Sequence, residues 1–305
     1  MIIRNLISIV AYSAFILMST LFCSQGKAAP IIFKDDTGTE IVLQKPAERI
    51  IALYGAFNDM MLEMGLKNRI IARTKADIRP ELHDLPVIGT HMRPNFEIIA
   101  ALHPDLVLQF EGRREAEEQV RRLRLLGLNV AVFHGANFKD MFRIMKNIGF
   151  LAGEEAKAET CIASMQQRLE VVARKRTGKR KPRIFFEIRF PNLLAAGNTS
   201  MATSIIEAAG AINALSVPER IARISEEELI RLDPDAYLLQ KGPMNTSPVP
   251  PGDRTHYRLL KAVKTNRVLI VDESMFSRPA PAAIQAVEEL ADWLDAVFPA
   301  RPSAQ

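Results

Sequence analysis

The side chains with the most chemistry to offer stand directly after short apolar runs. Tyr54 and Phe57 follow Arg49–Leu53, His91, Met92 and Arg93 follow Pro86–Ile88, and Phe110, Glu111, Arg113 and Arg114 follow Leu106–Gln109. Farther along, Glu187, Arg189 and Phe190 close the run from Arg183, and Asn198 follows Leu193–Ala196. Lys241 and Met244 follow Ala236–Gln240, and Phe276 and Arg278 follow Arg267–Asp272. If the runs are parallel strands, these loops gather beyond the strands' carboxyl ends, where open α/β sheets hold their ligands. Arginine there pairs with carboxylates and other anionic oxygens, while Phe, Tyr and Met supply apolar contact. Such a set suits the holding of an anion with an apolar body. Nothing marks it for turnover: the chain has no G-x-S-x-G elbow, no H-E-x-x-H, no phosphate-loop Lys and no G-x-G-x-x-G.

Several of these residues also have purely structural readings. Arg113 and Arg114 precede Glu117-Glu118 and can pair along a helix surface. Arg278 precedes Pro279 and suits a turn. Phe57 shares helical spacing with Met60, Met61 and Met64, a core pattern. Tyr54, His91 and Met92 are side-chain types that ligate haem iron. The histidines, at 83, 91, 103, 134 and 256, show no close ligand spacing and no His-rich loop, so no resident metal site is expected.

The elements that must position these residues come in two related halves. Asn95–Arg113 and Glu227–Gln240 share one design: a Glu, then a Pro-Asp at the same offset (Glu97 to Pro104, Glu227 to Pro234), then an apolar run containing Gln. The proline stops a short helix, because it cannot continue one and its predecessor leaves the α region. Ahead of the first copy, Ile31–Pro46 reads as a hairpin around Asp36-Thr37-Gly38. Strand and helix patterns then alternate through Phe133, and again from Arg183 to the final amphipathic segment, Ala282–Phe298, where Trp293 falls at core spacing. Both halves therefore predict α/β lobes with parallel sheets. Between them, Glu154–Lys175 lacks Gly and Pro and spans about 30 Å as one helix. A helical linker of this kind limits hinge motion compared with a Gly/Ser tether. The expected organisation is an N-terminal lobe over 29–150, a bridging helix within 151–180 and a C-terminal lobe over 181–305. The basic run Ala173–Arg183 reads as a solvated helix end that complements the dipole.

With 48% hydrophobic and 25% charged residues, the 305-residue chain is composed like a folded globular protein, not a disordered one. Its N-terminus differs: Arg4 precedes an almost uncharged apolar run, Leu6–Phe22, and small residues follow. Residues 1–28 have the layout of a secretory signal cleaved after Ala28, with an uncleaved, membrane-anchored form as the alternative. Cys23 hints at a lipoprotein, but Phe22 before it is too bulky for the usual site. Cleavage would remove Arg4, Lys27 and Cys23 and no acidic residue, lowering the formal charge from +5 to about +3. So weak a basic balance argues against nucleic-acid binding. Only Cys161 would remain, which excludes an intrachain disulfide and any CxxC site.

Five segments, 49–66, 86–109, 200–213, 223–235 and 260–294, together resemble the periplasmic substrate-binding proteins of iron-siderophore, haem and cobalamin ABC importers. The likeness covers nearly all of the chain after residue 28 and keeps the family's order. It implies two Rossmann-like lobes bridged by a single long helix, with the ligand in the cleft between them. It further implies a protein that is not an enzyme, carries no cofactor of its own and acts as a monomer. The cargo would be a metal chelate, delivered to a permease dimer with its ATPase from the periplasm. Glu97 and Glu227 match the family's acidic positions, one per lobe, that dock against permease arginines. The competing class is an exported α/β enzyme using the same cleft.

Overall fold

Antiparallel β1 (Ile31–Lys34) and β2 (Glu40–Leu43) open the chain, and the computed structural model describes residues 29–112 and 114–299. The turn between them is built on buried Asp35. Its Oδ1 accepts the Thr37 and Thr39 amides, while its Oδ2 accepts Arg124 and the Val132 amide, which ties the hairpin to the lobe behind it.

Four parallel strands form the first sheet, in the order β4 (Ile70–Ala72), β3 (Ile50–Ala52), β7 (Leu106–Phe110), β8 (Val130–Phe133). A two-stranded ribbon, β5 (Gly89–Thr90) with β6 (Arg93–Pro94), lies in the loop between β4 and β7. The strands are apolar apart from Gln109, whose amide is paired with that of Gln119, because both faces are covered. Ile50, Leu108 and Phe133 face a core containing Phe57, Met60 and Met141. Ile51, Val107 and Val132 face another with Ile99 and Leu123. Helices α1 (Gly55–Glu63) and α4 (Phe138–Ala152) thus cover one face, and α2 (Phe96–Ala101) and α3 (Arg114–Leu125) the other.

The second sheet centres on β9 (Arg183–Arg189). Parallel to it run β11 (Ile212–Asn213) and β13 (Ala236–Lys241), with β14 (Val268–Asp272) beyond β13. Two short strands, β10 (Leu194–Ala196) and β12 (Ile221–Arg223), extend it antiparallel. This sheet is therefore mixed where the sequence predicts only parallel strands. The reversal follows the turn at Pro191-Asn192, where Asn192 takes a left-handed φ of 60°. Helices α6 (Met201–Ala208), α7 (Glu226–Leu232), α8 (Lys261–Lys264), α9 (Glu273–Phe276) and α10 (Ala282–Val297) complete this half, with α5 (Glu155–Arg176) between the two sheets in sequence.

The repeated Pro-Asp unit does the same work in both halves. His103 and Asp233, each preceding the proline, have φ of 45° and 37°, which ends the helix in a left-handed residue. The following aspartate then fixes the start of the neighbouring strand: Asp105 Oδ2 accepts the Arg49 amide and Asp235 Oδ2 the Arg183 amide.

Helix α5 joins the two cores. Ala158 and Met165 belong to the first and Val172 to the second, while Leu169 packs against both. Gly153, with φ 67°, ends α4 and turns the chain into α5. Gly149 is required where α4 crosses α5, since a Cβ there would lie 2.6 Å from the Ala158 Cβ. Helix α10 also touches both cores, through Ile284 on one side and Val287 and Leu290 on the other. A ladder of ion pairs, Arg168–Glu288, Lys175–Asp292 and Arg176–Asp295, runs along the seam between α5 and α10, and Lys179 also reaches Asp295. The basic run is thus not simply solvated, since Lys175, Arg176 and Lys179 pair with Asp292 and Asp295, one turn apart on α10. Hydrogen bonding from Arg168 holds the Glu288 carboxyl below its ordinary value. Burial works to raise that of Asp295, but hydrogen bonds from Lys179 and Arg176 outweigh it and hold it low.

Candidate functional site

A cleft of about 290 Å³ opens where the two sheets' carboxyl ends face each other, and its walls come from both lobes. Tyr54, the residue before α1, and His91, from the β5–β6 ribbon, form one wall; Arg220, Gln240, Glu273 and Arg278 are prominent on the other.

On the first wall, the Tyr54 ring packs on Phe110 at 4.7 Å between centroids, on Phe57 at 5.7 Å and near His91 at 6.0 Å. Burial pushes the Tyr54 phenol up to about 12, with Arg278 and Arg220 opposing the shift, so it meets a ligand as a neutral hydroxyl. Burial also lowers the His91 imidazole, with Asp77 opposing, and favours its neutral form. His91 Nε2 lies 3.2 Å from Met92 Sδ, while Nδ1 is buried without a partner. Behind this wall, buried Asp77 accepts from Thr74 and Asn58. Gly55 is required beside it: a Cβ would come within 2.4 Å of Asp77 Oδ1 and 3.5 Å of Arg278 Nη1.

On the opposite wall, Gln240 is fully buried, and its Oε1 accepts from the Ser277 hydroxyl while Nε2 has no partner. Glu273 is held by the turn after β13, where Oε2 accepts the Met244 amide at 2.8 Å. Gly242 makes room for it, because a Cβ there would meet Glu273 Cβ at 2.3 Å. Arg220 reaches across, its guanidinium 6.0 Å from the Phe110 ring centroid. Two guanidinium groups, one carboxylate and neutral Tyr and His side chains leave the cleft electropositive and rich in hydrogen-bond donors, which suits anionic oxygens.

Of the residues expected at the site from sequence, the structure brings Tyr54, His91 and Arg278 into the cleft lining, with Met244 beside them, and sets Phe110 against Tyr54. Met92 and Arg93 line instead a groove on the outside of the first lobe, with Phe96 and Arg114. Lys241 and Asn198 are exposed outside the cleft lining, Asn198 donating to Ser216, and Arg189 is half-buried at the end of β9. Arg113 lies outside the described residues, as do residues 1–28 with the signal segment.

Two expectations are corrected. Phe276 is a core residue, 2% exposed and stacked on Phe186. Glu187 is fully buried, with Oε2 and Oε1 held by Arg254 Nη1 and Nη2 at 2.6 and 2.8 Å and a third hydrogen bond from Tyr237. The Arg254 guanidinium also lies 3.9 Å from the Phe190 ring centroid and 4.8 Å from that of Tyr257. Burial opposes its charge, but Glu187 holds it protonated. Glu187 therefore has no oxygen to offer a ligand. The pair pins the loop after β13, since Arg254 also donates to the Val249 carbonyl.

Sequence reasoning missed Arg220, Gln240, Glu273 and Ser277. Glu273 and Ser277 flank residues already chosen, and Gln240 reads as the end of a buried run. Arg220 precedes a three-residue strand with no sequence signature.

Glu97 and Glu227 are exposed and occupy equivalent places in the first turns of α2 and α7. Each helix is capped one residue earlier: Asn95 Oδ1 accepts the Ile98 amide and Ser225 Oγ the Glu228 amide. Hydrogen bonding to its own amide and to Ser225 holds the Glu227 carboxyl below its ordinary value. Among the described residues no group of three or more His, Cys, Asp and Glu side chains is arranged to hold a metal ion, and no helix is long and apolar enough to cross a membrane.

The chain is 26% identical over 270 residues to the uncharacterized ABC transporter substrate-binding lipoprotein YvrC of Bacillus subtilis, covering 86% of this chain and 85% of that one. It is 24% identical to a vitamin B12-binding protein of Pectobacterium carotovorum, over 85% and 92% of the two chains. Its fold superposes on the periplasmic heme-binding protein RhuT of Roseiflexus with a TM-score of 0.70 at 21% identity, over 83% and 99% of the chains. The family model for periplasmic binding proteins matches residues 50–275, most of the sequence, and the chain belongs to that family.

Proposed function

We propose that this protein is the substrate-binding component of an ABC importer whose cargo is a metal chelate or corrinoid with anionic or carbonyl oxygens at its rim. Members of the family are binding proteins, not enzymes, and face the periplasm either free or anchored to the membrane. The observation that carries the reading is the shared cleft: Arg220 and Arg278 meet neutral Tyr54 and His91 there, with no activated nucleophile among them. Binding by such a wall is mass action with modest lobe adjustment. The relatives named for vitamin B12 and heme support a tetrapyrrole-like or similarly large cargo.

Glu97 and Glu227, one on each lobe, are the carboxylates that meet permease arginines when cargo is handed over. Export uses residues 1–28 as a cleaved signal, so that the mature chain starts at Ala29 and works as a monomer beside its permease and ATPase. N-terminal sequencing of the exported protein tests the start.

The cargo is tested by native mass spectrometry and absorption spectroscopy of protein purified from its own periplasm, then by titration with ferric hydroxamates, haemin and cyanocobalamin. Retention of one chelate class at nanomolar to micromolar affinity, with no turnover, is expected. A protein that retains none of them, or converts a substrate catalytically, overturns the reading.

A further inference from the structure

The cleft is small for the cargo proposed, at the lower edge of the roughly 300–1,000 Å³ typical of ligand pockets. A second, larger cavity of about 540 Å³ lies beside it in the first lobe, between α3, the end of β7 and the tip of the β1–β2 hairpin. Phe110, Val120, Leu125 and Val132 give its wall an apolar floor, with Thr37 at the hairpin tip and the charged Glu111, Glu117, Arg121 and Arg124 around it.

Phe110 connects the two spaces. It lines the second cavity, while its ring packs on Tyr54 and lies under Arg220, both of which line the cleft. The side chain is half-buried and stands between the two spaces, with His134 stacked on its other side. Together the cleft and this annex fall within the usual range of ligand-pocket volumes.

We infer that the annex receives an apolar arm of the cargo: the chelate's polar head sits between Arg220 and Arg278, and an acyl or aryl appendage passes Phe110 into the space under α3. This inference rests on the proposed cargo function and deepens it, by naming a chelate that carries an apolar arm several carbons long.

The test titrates the full protein with ferric desferrioxamine B, its N-octanoyl derivative, haemin and cyanocobalamin. Two variants change the far wall of the annex, and Thr37→Trp also removes the Thr37 hydroxyl's hydrogen bond to Asp35. Thr37→Trp fills it from the hairpin tip, where the residue is exposed, and Leu125→Glu places a charge in it at an exposed helix position. Thermal melting controls for folding, and with two independent surface sites a loss of stability in one leaves the other to decide. The wild-type protein should bind the octanoyl derivative at least tenfold more tightly than its parent; equal affinity for the two, or retention of haemin or cyanocobalamin alone, overturns the annex. Both variants should weaken binding of the octanoyl derivative at least tenfold. If every affinity stays within twofold in both variants, the annex is refuted while the cargo function stands. If the wild-type protein binds none of the four, the cargo function itself fails and the annex with it.

Discussion

Replacing Arg254 with Ala removes the partner of a carboxylate that has no access to water. In the native protein Glu187 is 0% exposed, receives two short hydrogen bonds from Arg254 and a third from Tyr237, and so is fully satisfied. The substitution leaves only the Tyr237 hydroxyl. Breaking a buried ion pair by deleting one partner costs about 3–5 kcal/mol, because the remaining charge is uncompensated. Loss of the guanidinium from the faces of Phe190 and Tyr257 adds about 1 kcal/mol. At roughly 2–4 °C per kcal/mol for a domain of this size, that total of about 4–6 kcal/mol should make the second lobe melt roughly 8–24 °C lower. Differential scanning calorimetry with urea titration at pH 7 measures it. Adding Glu187→Gln to Arg254→Ala removes the stranded charge and should recover part of the loss, whereas Glu187→Gln alone should destabilise. A single variant that melts within 2 °C of the native protein, or a double variant that melts below Arg254→Ala, refutes the argument.

Glu97→Ala with Glu227→Ala should abolish cargo uptake by whole cells while leaving affinity within twofold; a loss of affinity would place these carboxylates in folding or binding instead of docking. Arg278→Ala should weaken binding of an anionic chelate about tenfold to a hundredfold, the cost of one charge-assisted hydrogen bond, and titration at two salt concentrations should show a shallower salt dependence than in the native protein. Gly55→Ala forces a methyl to within 2.4 Å of Asp77 Oδ1 and should cost about 1–3 kcal/mol as overpacking; an unshifted urea midpoint would show that Asp77 yields freely. The carboxyls of Glu288 and Asp295 both sit below their ordinary values, so their stabilisation is complete above the unfolded values near pH 4–5 and is lost as pH falls through the lower folded ones. Melting temperature should therefore drop below about pH 4, and less steeply in Glu288→Gln; identical slopes would remove the seam from the explanation.

What the sequence makes legible follows from how local each signal is. Runs dominated by apolar residues between glycine and proline breaks identify β3, β7, β9 and β13, because a strand covered on both faces has few places for a polar residue. The unbroken helical pattern after Gly153 likewise locates α5. The antiparallel strands β10 and β12 are three residues each and owe their pairing to the turn at Pro191-Asn192, which composition does not advertise. In the site, the rule that ligands gather at strand ends finds Tyr54, His91 and Arg278, but it does not settle which face a given residue takes. Along β9, Ile184, Phe186 and Ile188 turn toward one core while Phe185 and Glu187 turn toward the other, so Glu187 meets Tyr237 and Arg254 and its neighbour Ile188 meets the cleft. Gln240 and Lys241 divide the same way. A shift of one residue in parity exchanges a ligand contact for a buried ion pair, and parity is set by pairing across the sheet. Arg254 could not be matched to Glu187 from sequence at all, since they are joined only through the tertiary fold.

The contact that α10 makes with both cores bears on the speed of capture and release. With α5 and α10 both spanning the junction and clamped to each other by charge, the lobes are held by two struts instead of one. A receptor so braced has little conformational freedom to surrender when cargo arrives, so association need not wait for a slow closing step and can approach the rate set by diffusion and by the electropositive wall. The same bracing makes unloading the harder half of the cycle. Spreading the lobes strains two helices and their ion pairs at once, and the work for that must come from outside the receptor, through whatever grips its two lobes.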